Sequence, residues 1–245
     1  MGTSADLPSP HAMPPVVFED RHLLVVNKPP GLITMGAPAG EASLVELVRE
    51  YLRRKYALPG KPFVGVVSRL DAPVSGLVPL ARNSKAAARL TRQFREGTVE
   101  KCYWAVVHGT LPKPQGEWVN YLRPQPGRRK MQLVGPTMAG AQECRLRYCV
   151  LQELPPLRAT LVEVELLTGR KHQIRVQFGG RGHPVLGDLK YGSSRPCRER
   201  IALHCRRLML RHPVTRQPLE LVAPVPRQWS AWGVRDPLWK DRSGS

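Results

Sequence analysis

Asp71 is the residue whose surroundings most favour chemistry. It follows the apolar run Phe63 to Val67 through Ser68, Arg69 and Leu70. A carboxylate beside a guanidinium stays ionised at neutral pH, because the opposite charge favours its charged form. Such a group can attack an electrophilic carbon or accept a proton. Taken alone, an Asp before Ala72-Pro73 is better read as an ordinary turn residue. The second segment of interest is Arg170-Lys171-His172-Gln173-Ile174-Arg175, which alone reads as a basic helix start facing phosphates. A third candidate, Tyr103, lies within an apolar stretch that reads as a strand, where a half-buried Tyr is the ordinary expectation.

The signatures of competing chemistries are missing. The chain has no Gly-x-x-x-x-Gly-Lys-Ser/Thr loop, no Gly-x-Gly-x-x-Gly fingerprint and no Gly-x-Ser-x-Gly elbow. Pro196-Cys197 is followed by Arg198-Glu199-Arg200, which breaks the Pro-Cys-x-x-Cys of a zinc deaminase. The seven histidines lack metal-ligand spacing, and the five cysteines (102, 144, 149, 197, 205) form no Cys-x-x-Cys pair. The expectation is a reaction with no cofactor and no metal, in a chain of reduced thiols. Lys and Arg number 38 against 19 acids, a net charge of +19, which calls for a polyanionic partner. Nucleic acid is preferred to a membrane surface, because no basic amphipathic stretch carries a broad apolar face. Leu23-Leu24-Val25-Val26 is among the longest aliphatic runs and is far too short to cross a bilayer. Met1 to Pro15 has neither the basic start nor the apolar core of a secretory signal, and Asp6 spoils a myristoylation site at Gly2, so the cytoplasm is expected.

The elements that must position these residues can be outlined. Val16-Val17-Phe18 leads through Glu19-Asp20 into Leu23-Leu24-Val25-Val26, which reads as a buried strand broken by Asn27-Lys28-Pro29-Pro30-Gly31. Residues 44–56 carry helical periodicity, with Ser43 and Glu46 at capping-box spacing. Ser75 to Leu80 reads as strand, with Pro79 better suited to an edge or bulge. Ser84 to Glu96 is a helix opened by a Ser cap and closed by Gly97, and Val99 to Val107 returns as a strand. Residues 109–140 are rich in Pro and Gly and hold Arg123, Arg128, Arg129 and Lys130. They read either as a solvated loop or as an RNA-contacting insertion. Strands near 143–152 and 157–167, a turn at Thr168-Gly169-Arg170, a short helix over Lys171 to Phe178 and a hairpin of Arg207–Leu210 with Leu219–Val222 complete the outline. Strands and helices mix without regular alternation, which predicts an α+β fold on a largely antiparallel sheet. The expected organisation is a disordered tail over 1–15, one catalytic domain over 16–235 and a C-terminal tail over 236–245.

The order and wording of these segments resemble the RluA-type pseudouridine synthases along nearly the whole chain. The matching runs are Val26-Asn27-Lys28-Pro29-Pro30-Gly31-Leu32, Arg69-Leu70-Asp71-Ala72-Pro73-Val74-Ser75-Gly76-Leu77 with Ala81-Arg82-Asn83, and Lys101 to Val107. Leu167 to Val176, Gly182 to Asp188, Tyr191-Gly192, Ala202-Leu203-His204 and His212 to Thr215 continue the series. Two positions depart from the family: Ser68 replaces the usual His, and Val74 replaces the usual Thr. The resemblance implies a pseudouridine-synthase-like fold with a central RNA-binding cleft. It implies that Asp71 is the catalytic carboxylate, that Arg175 orients it, and that Tyr103 stacks under a flipped uracil. Arg69 would fill the space the base leaves, Leu70 and Ile174 would wall the site, and Arg170 and Lys171 would bind substrate. RNA, either rRNA or tRNA, is the implied partner, acted on by a monomer without an accessory RNA-binding domain. The competing reading is a non-catalytic RNA-binding or ribosome-assembly module that retains the fold.

Overall fold

The structure is a computed structural model and describes residues 12–194, 196–197 and 200–239. Its strands are β1 (Val16–Glu19), β2 (Leu23–Lys28), β3 (Gly65–Val66), β4 (Ser75–Ala81), β5 (Glu100–His108), β6 (Gln115–Pro124), β7 (Met131–Val134), β8 (Gln142–Leu154), β9 (Ala159–Leu166), β10 (Leu203–Arg211) and β11 (Pro218–Val222). The helices are α1 (Leu44–Lys55), α2 (Ser84–Glu96) and α3 (Gln173–Gly179). Among the described residues the strands form one sheet in the order β1-β2-β4-β10-β5-β9-β8-β6-β7, with β11 beside β10 and β3 beside β4. Only the β4–β10 pair is parallel. The α+β class, with a mixed and largely antiparallel sheet, is therefore the one expected.

Local chemistry sets the helices. Ser43 and Glu46 close a reciprocal capping box at the start of α1, and Leu44, Val45, Val48 and Leu52 bury its apolar stripe. In α2 the cap is Asn83 rather than Ser84: the Asn83 side chain accepts from the Ala86 amide at 2.9 Å. Asn83 is the last extended residue, so its oxygen faces the free amides, while Ser84 is already helical. Residues 109–140 are not a plain loop either. β6 and β7 form a hairpin whose turn holds the exposed Arg128 and Arg129, and β6 pairs along its length with β8. A small second core of Leu122, Met131, Cys144, Val176 and Tyr191 seats this hairpin against α3.

Pro79 lies on an interior strand, but at a position that is locally an edge. Its register partner is Val25 on β2, whereas β10 pairs only with Ser75 and Gly76, and β3 only with Leu80 and Ala81. Pro79 thus has no ladder partner on its second side, so its missing N–H breaks no bond there. The β4–β10 junction itself requires glycine. Gly76 has φ +117°, and a Cβ there would lie 2.4 Å from the Cys205 carbonyl oxygen.

His204 locks the same junction. It is wholly buried, takes a hydrogen bond from Ser75 Oγ on Nδ1 at 2.9 Å and donates from Nε2 to the Ala223 carbonyl at 3.2 Å. Burial first, with Arg206 adding, pushes its pKa from 6.5 down to about 3. Between these values the unfolded chain binds a proton that the folded chain refuses, so stability falls as pH drops from about 6.5 toward about 3. The expected loss is on the order of 4 kcal/mol. Acid unfolding should show it: His204→Gln, although weaker at neutral pH, should have a flatter stability slope between about pH 6 and 4. Equal slopes would remove His204 from the account.

The tail expected over 236–245 begins too early. Asp236 is buried, bonded to Arg206 Nη2 at 2.8 Å and to the Val225 amide at 2.8 Å, and Trp239 Nε1 donates to the Val225 carbonyl. A carboxylate paired with a buried guanidinium belongs to the packed body. At the other end, Pro14 is buried and the Pro15 carbonyl accepts from the Asn27 amide at 2.9 Å. The tail expectations for 1–11 and 240–245 lie outside the described residues.

Candidate active site

Asp71 sits on the loop between β3 and β4, and its backbone is pinned from three directions. Thr34 Oγ1 donates to the Leu70 carbonyl at 2.9 Å, the Val74 amide to the Asp71 carbonyl at 3.0 Å and the Gly31 amide to the Ala72 carbonyl at 2.7 Å. Lys28, fully buried, donates its Nζ to the carbonyls of Pro29, Leu32 and Ala72. Burial drives the Lys28 pKa down to about 7, and the opposing charge of Asp71 limits the fall. The segment Lys28 to Thr34 therefore acts as a clamp on the loop that carries Asp71.

The Asp71 carboxylate is itself held. Arg175 Nη1 donates to Oδ2 at 2.9 Å, while Arg175 Nε and Nη2 grip Asp188 at 2.6 and 2.9 Å. Burial opposes the charge of Arg175, yet Asp188 and then Asp71 hold its pKa above the ordinary guanidinium value. Asp188 is buried and presents both oxygens in a fork, so the guanidinium plane is fixed before it meets Asp71. Asp71 keeps 28% of its side chain exposed, which leaves an oxygen free to face the cleft.

A cavity of about 470 Å³ opens over this pair. The expected site residues come together there: Asp71, Tyr103 and Arg175, with Arg69, Leu70, Ile174, Arg170 and Lys171, all line it. Tyr103 projects from β5. Burial, the neighbouring Cys205 and the negative charge of Asp71 hold its phenol well above the usual pKa, so it presents a neutral ring. Arg69 is exposed and has no hydrogen-bond or ion-pair partner among the described residues. Arg170 is fixed by donation from Nε to the Glu143 carbonyl at 3.0 Å. Ile33, Thr34 and His172 also line the cavity, and Asp188 backs it, although none was singled out in the sequence. Of the two departures from the family's wording, Val74 is buried in the core and also lines the cavity, whereas Ser68 is not among the lining residues.

One carboxylate, fixed by a buried guanidinium beside a neutral aromatic ring in a basic cleft, is equipped to act on a flat, uncharged base of a polyanion. Fold and site thus define a class of nucleic-acid-modifying enzyme, and comparison with known proteins narrows it. A family profile described as RNA pseudouridylate synthase matches residues 22–179. A ribosomal large subunit pseudouridine synthase C of Vibrio vulnificus is 33% identical over 223 residues, covering 87% of this chain and 66% of the relative. A dual-specificity RNA pseudouridine synthase RluA of Pasteurella multocida is 32% identical over 219 residues, covering 85% of this chain and 92% of the relative. The solved structure of human RNA pseudouridylate synthase domain containing 4 superposes with a TM-score of 0.73 at 26% identity, covering 89% of this chain and 90% of that one. The chain belongs to the RNA pseudouridylate synthase family, in its RluA-type branch. Among the described residues no helix is long and apolar enough to cross a membrane.

Proposed function

We propose that this chain isomerises uridine to pseudouridine in structured RNA, rRNA or tRNA, with Asp71 as the catalytic carboxylate. The observation that carries the reading is the Asp71–Arg175–Asp188 arrangement inside the basic cavity. In the reaction the N1–C1′ bond breaks, uracil rotates, and C5 joins C1′. The proton on C5 is lost and N1 takes one up, so the base keeps its composition. Asp71 serves either by attacking C1′ or by taking a proton from the sugar, and both routes need the carboxylate that Arg175 orients.

The base must first leave its stack. Arg69, exposed and unpaired among the described residues, is placed to enter the vacated space, and the Tyr103 ring receives the extruded uracil. Arg170 and Lys171 at the rim, with Arg128 and Arg129 on the β6–β7 turn, supply charge for the phosphates. The five cysteines, none in a disulfide, suit a reducing compartment, and the reading places a monomer in the cytoplasm.

Mapping pseudouridine across cellular RNA with and without the gene tests the reading and identifies the target; an unchanged map would overturn it. Arg69→Ala tests the extrusion step. On a uridine held in a stacked helix its rate should fall roughly ten- to a hundredfold, and on an already unstacked uridine less than about threefold. Equal losses on both substrates would refute that role for Arg69.

A further inference from the structure

His172 and Tyr191 form a chain of contacts that runs from the β6–β7 hairpin to Asp71. The Met131 backbone amide on β7 donates to Tyr191 Oη at 2.9 Å. Tyr191 Oη lies 2.6 Å from His172 Nδ1, and His172 Nε2 lies 3.6 Å from Asp71 Oδ2. An amide N–H can only donate, so Tyr191 accepts there and has its own proton to give to His172 Nδ1. When Tyr191 gives that proton to Nδ1, the imidazole proton lies on Nε2, which faces the carboxylate at 3.6 Å.

We propose that His172, fixed as its Nε2–H tautomer by Tyr191, is a positioning residue that aligns Asp71 and couples that alignment to the seating of the β6–β7 hairpin. The inference rests on the reading of Asp71 as the catalytic carboxylate. The 3.6 Å separation is too long for a hydrogen bond in the free protein, and catalytic contacts of this kind shorten when substrate closes the site. Two further observations support it. His172 has φ +56°, a left-handed conformation that a non-glycine residue keeps only where its surroundings over-determine it. The hairpin makes two further contacts here: Lys130 Nζ stands 5.4 Å from the Tyr191 ring centroid, and the neighbouring Lys190 Nζ donates to the Arg129 carbonyl at 3.0 Å.

The groups facing His172 are Asp71, Arg175, Lys171, Lys190 and Tyr191. Burial first, then Arg175, Lys190 and Lys171, lower its pKa to about 4 against the pull of Asp71. The ring is therefore neutral at working pH, which makes its tautomer a decisive property.

The test uses the full chain with ¹⁵N-labelled histidine, read by NMR, together with single-turnover rates on saturating RNA. Wild type should show His172 as the Nε2–H tautomer from pH 5 to 8. In Tyr191→Phe the tautomer should mix, because Nδ1 has lost its donor. The rate should fall roughly tenfold with RNA affinity within about twofold of wild type. His172→Asn, which tolerates the left-handed backbone, should show a deficit independent of pH, and adding Tyr191→Phe should slow it no further. An Nδ1–H tautomer in wild type, or additive losses in the double variant, would overturn the proposal. A wild type that forms no pseudouridine would overturn the enzymatic reading instead, and the nitrogen spectra would still decide the tautomer.

Discussion

Asp71→Asn is expected to abolish turnover, by a factor of about 10³ or more, while the protein folds and holds RNA as before. The substitution is nearly isosteric, so the amide oxygen can still accept from Arg175 Nη1, now 2.9 Å from Oδ2. What disappears is the negative charge, and with it the ability to attack C1′ or take a sugar proton. The fold should barely respond. Asp71 is 28% exposed, so its pair with Arg175 is partly screened by water, while the bidentate grip of Asp188 keeps the guanidinium in place. A melting shift of no more than about 3 °C is expected. Removing one negative charge from a chain of net charge +19 leaves RNA affinity unchanged or slightly tighter. Tritium release from RNA labelled at uridine C5, alongside binding and melting, checks all three. Turnover at the wild-type rate would end the assignment of Asp71.

Much of this site was legible because its members sit in short runs whose wording is distinctive. Arg69-Leu70-Asp71, Lys101-Cys102-Tyr103 and the run ending in Arg175 each announced a chemistry-bearing residue, and the fold brings all three to one cavity. Asp188 shows the limit. It stood in a matched run, Gly182 to Asp188, yet nothing local marks it as the buried counter-ion of Arg175, because that role is created by burial against α3. The same holds for Lys28, whose ammonium serves carbonyls that lie up to 44 residues away in sequence. The Met131–Tyr191 bond leaves no sequence signal at all, since its donor is a backbone amide. Strands β6 and β7 were obscured by Pro, Gly and Arg, and only their pairing with β8 and packing under α3 make them strands. The capping choice between Asn83 and Ser84 depended on where the extended chain ends, which two adjacent cap-forming residues cannot tell.

Arg175→Met should fail in a different way from Asp71→Asn, and the contrast separates structure from chemistry. Arg175 faces two carboxylates, and the one it grips with two bonds, Asp188, is only 1% exposed. Removing the guanidinium strands a carboxylate away from water, so a loss of about 3–5 kcal/mol is expected, seen as a melting point lower by roughly 10 °C. Arg175→Lys should lie between, because one ammonium cannot reproduce a planar fork toward Asp188 while reaching Asp71. Pairing Arg175→Met with Asp188→Leu removes both buried charges at once, and such replacements are often neutral or better for stability. The double variant should therefore recover most of the melting point. Turnover should not return with it, because Asp71 still lacks the N–H that orients one oxygen. A double variant that recovers both would reduce Arg175 to a structural ion. A single Arg175→Met that melts like wild type would show that Asp188 finds another partner, and the fixed guanidinium plane would no longer explain how Asp71 is aimed.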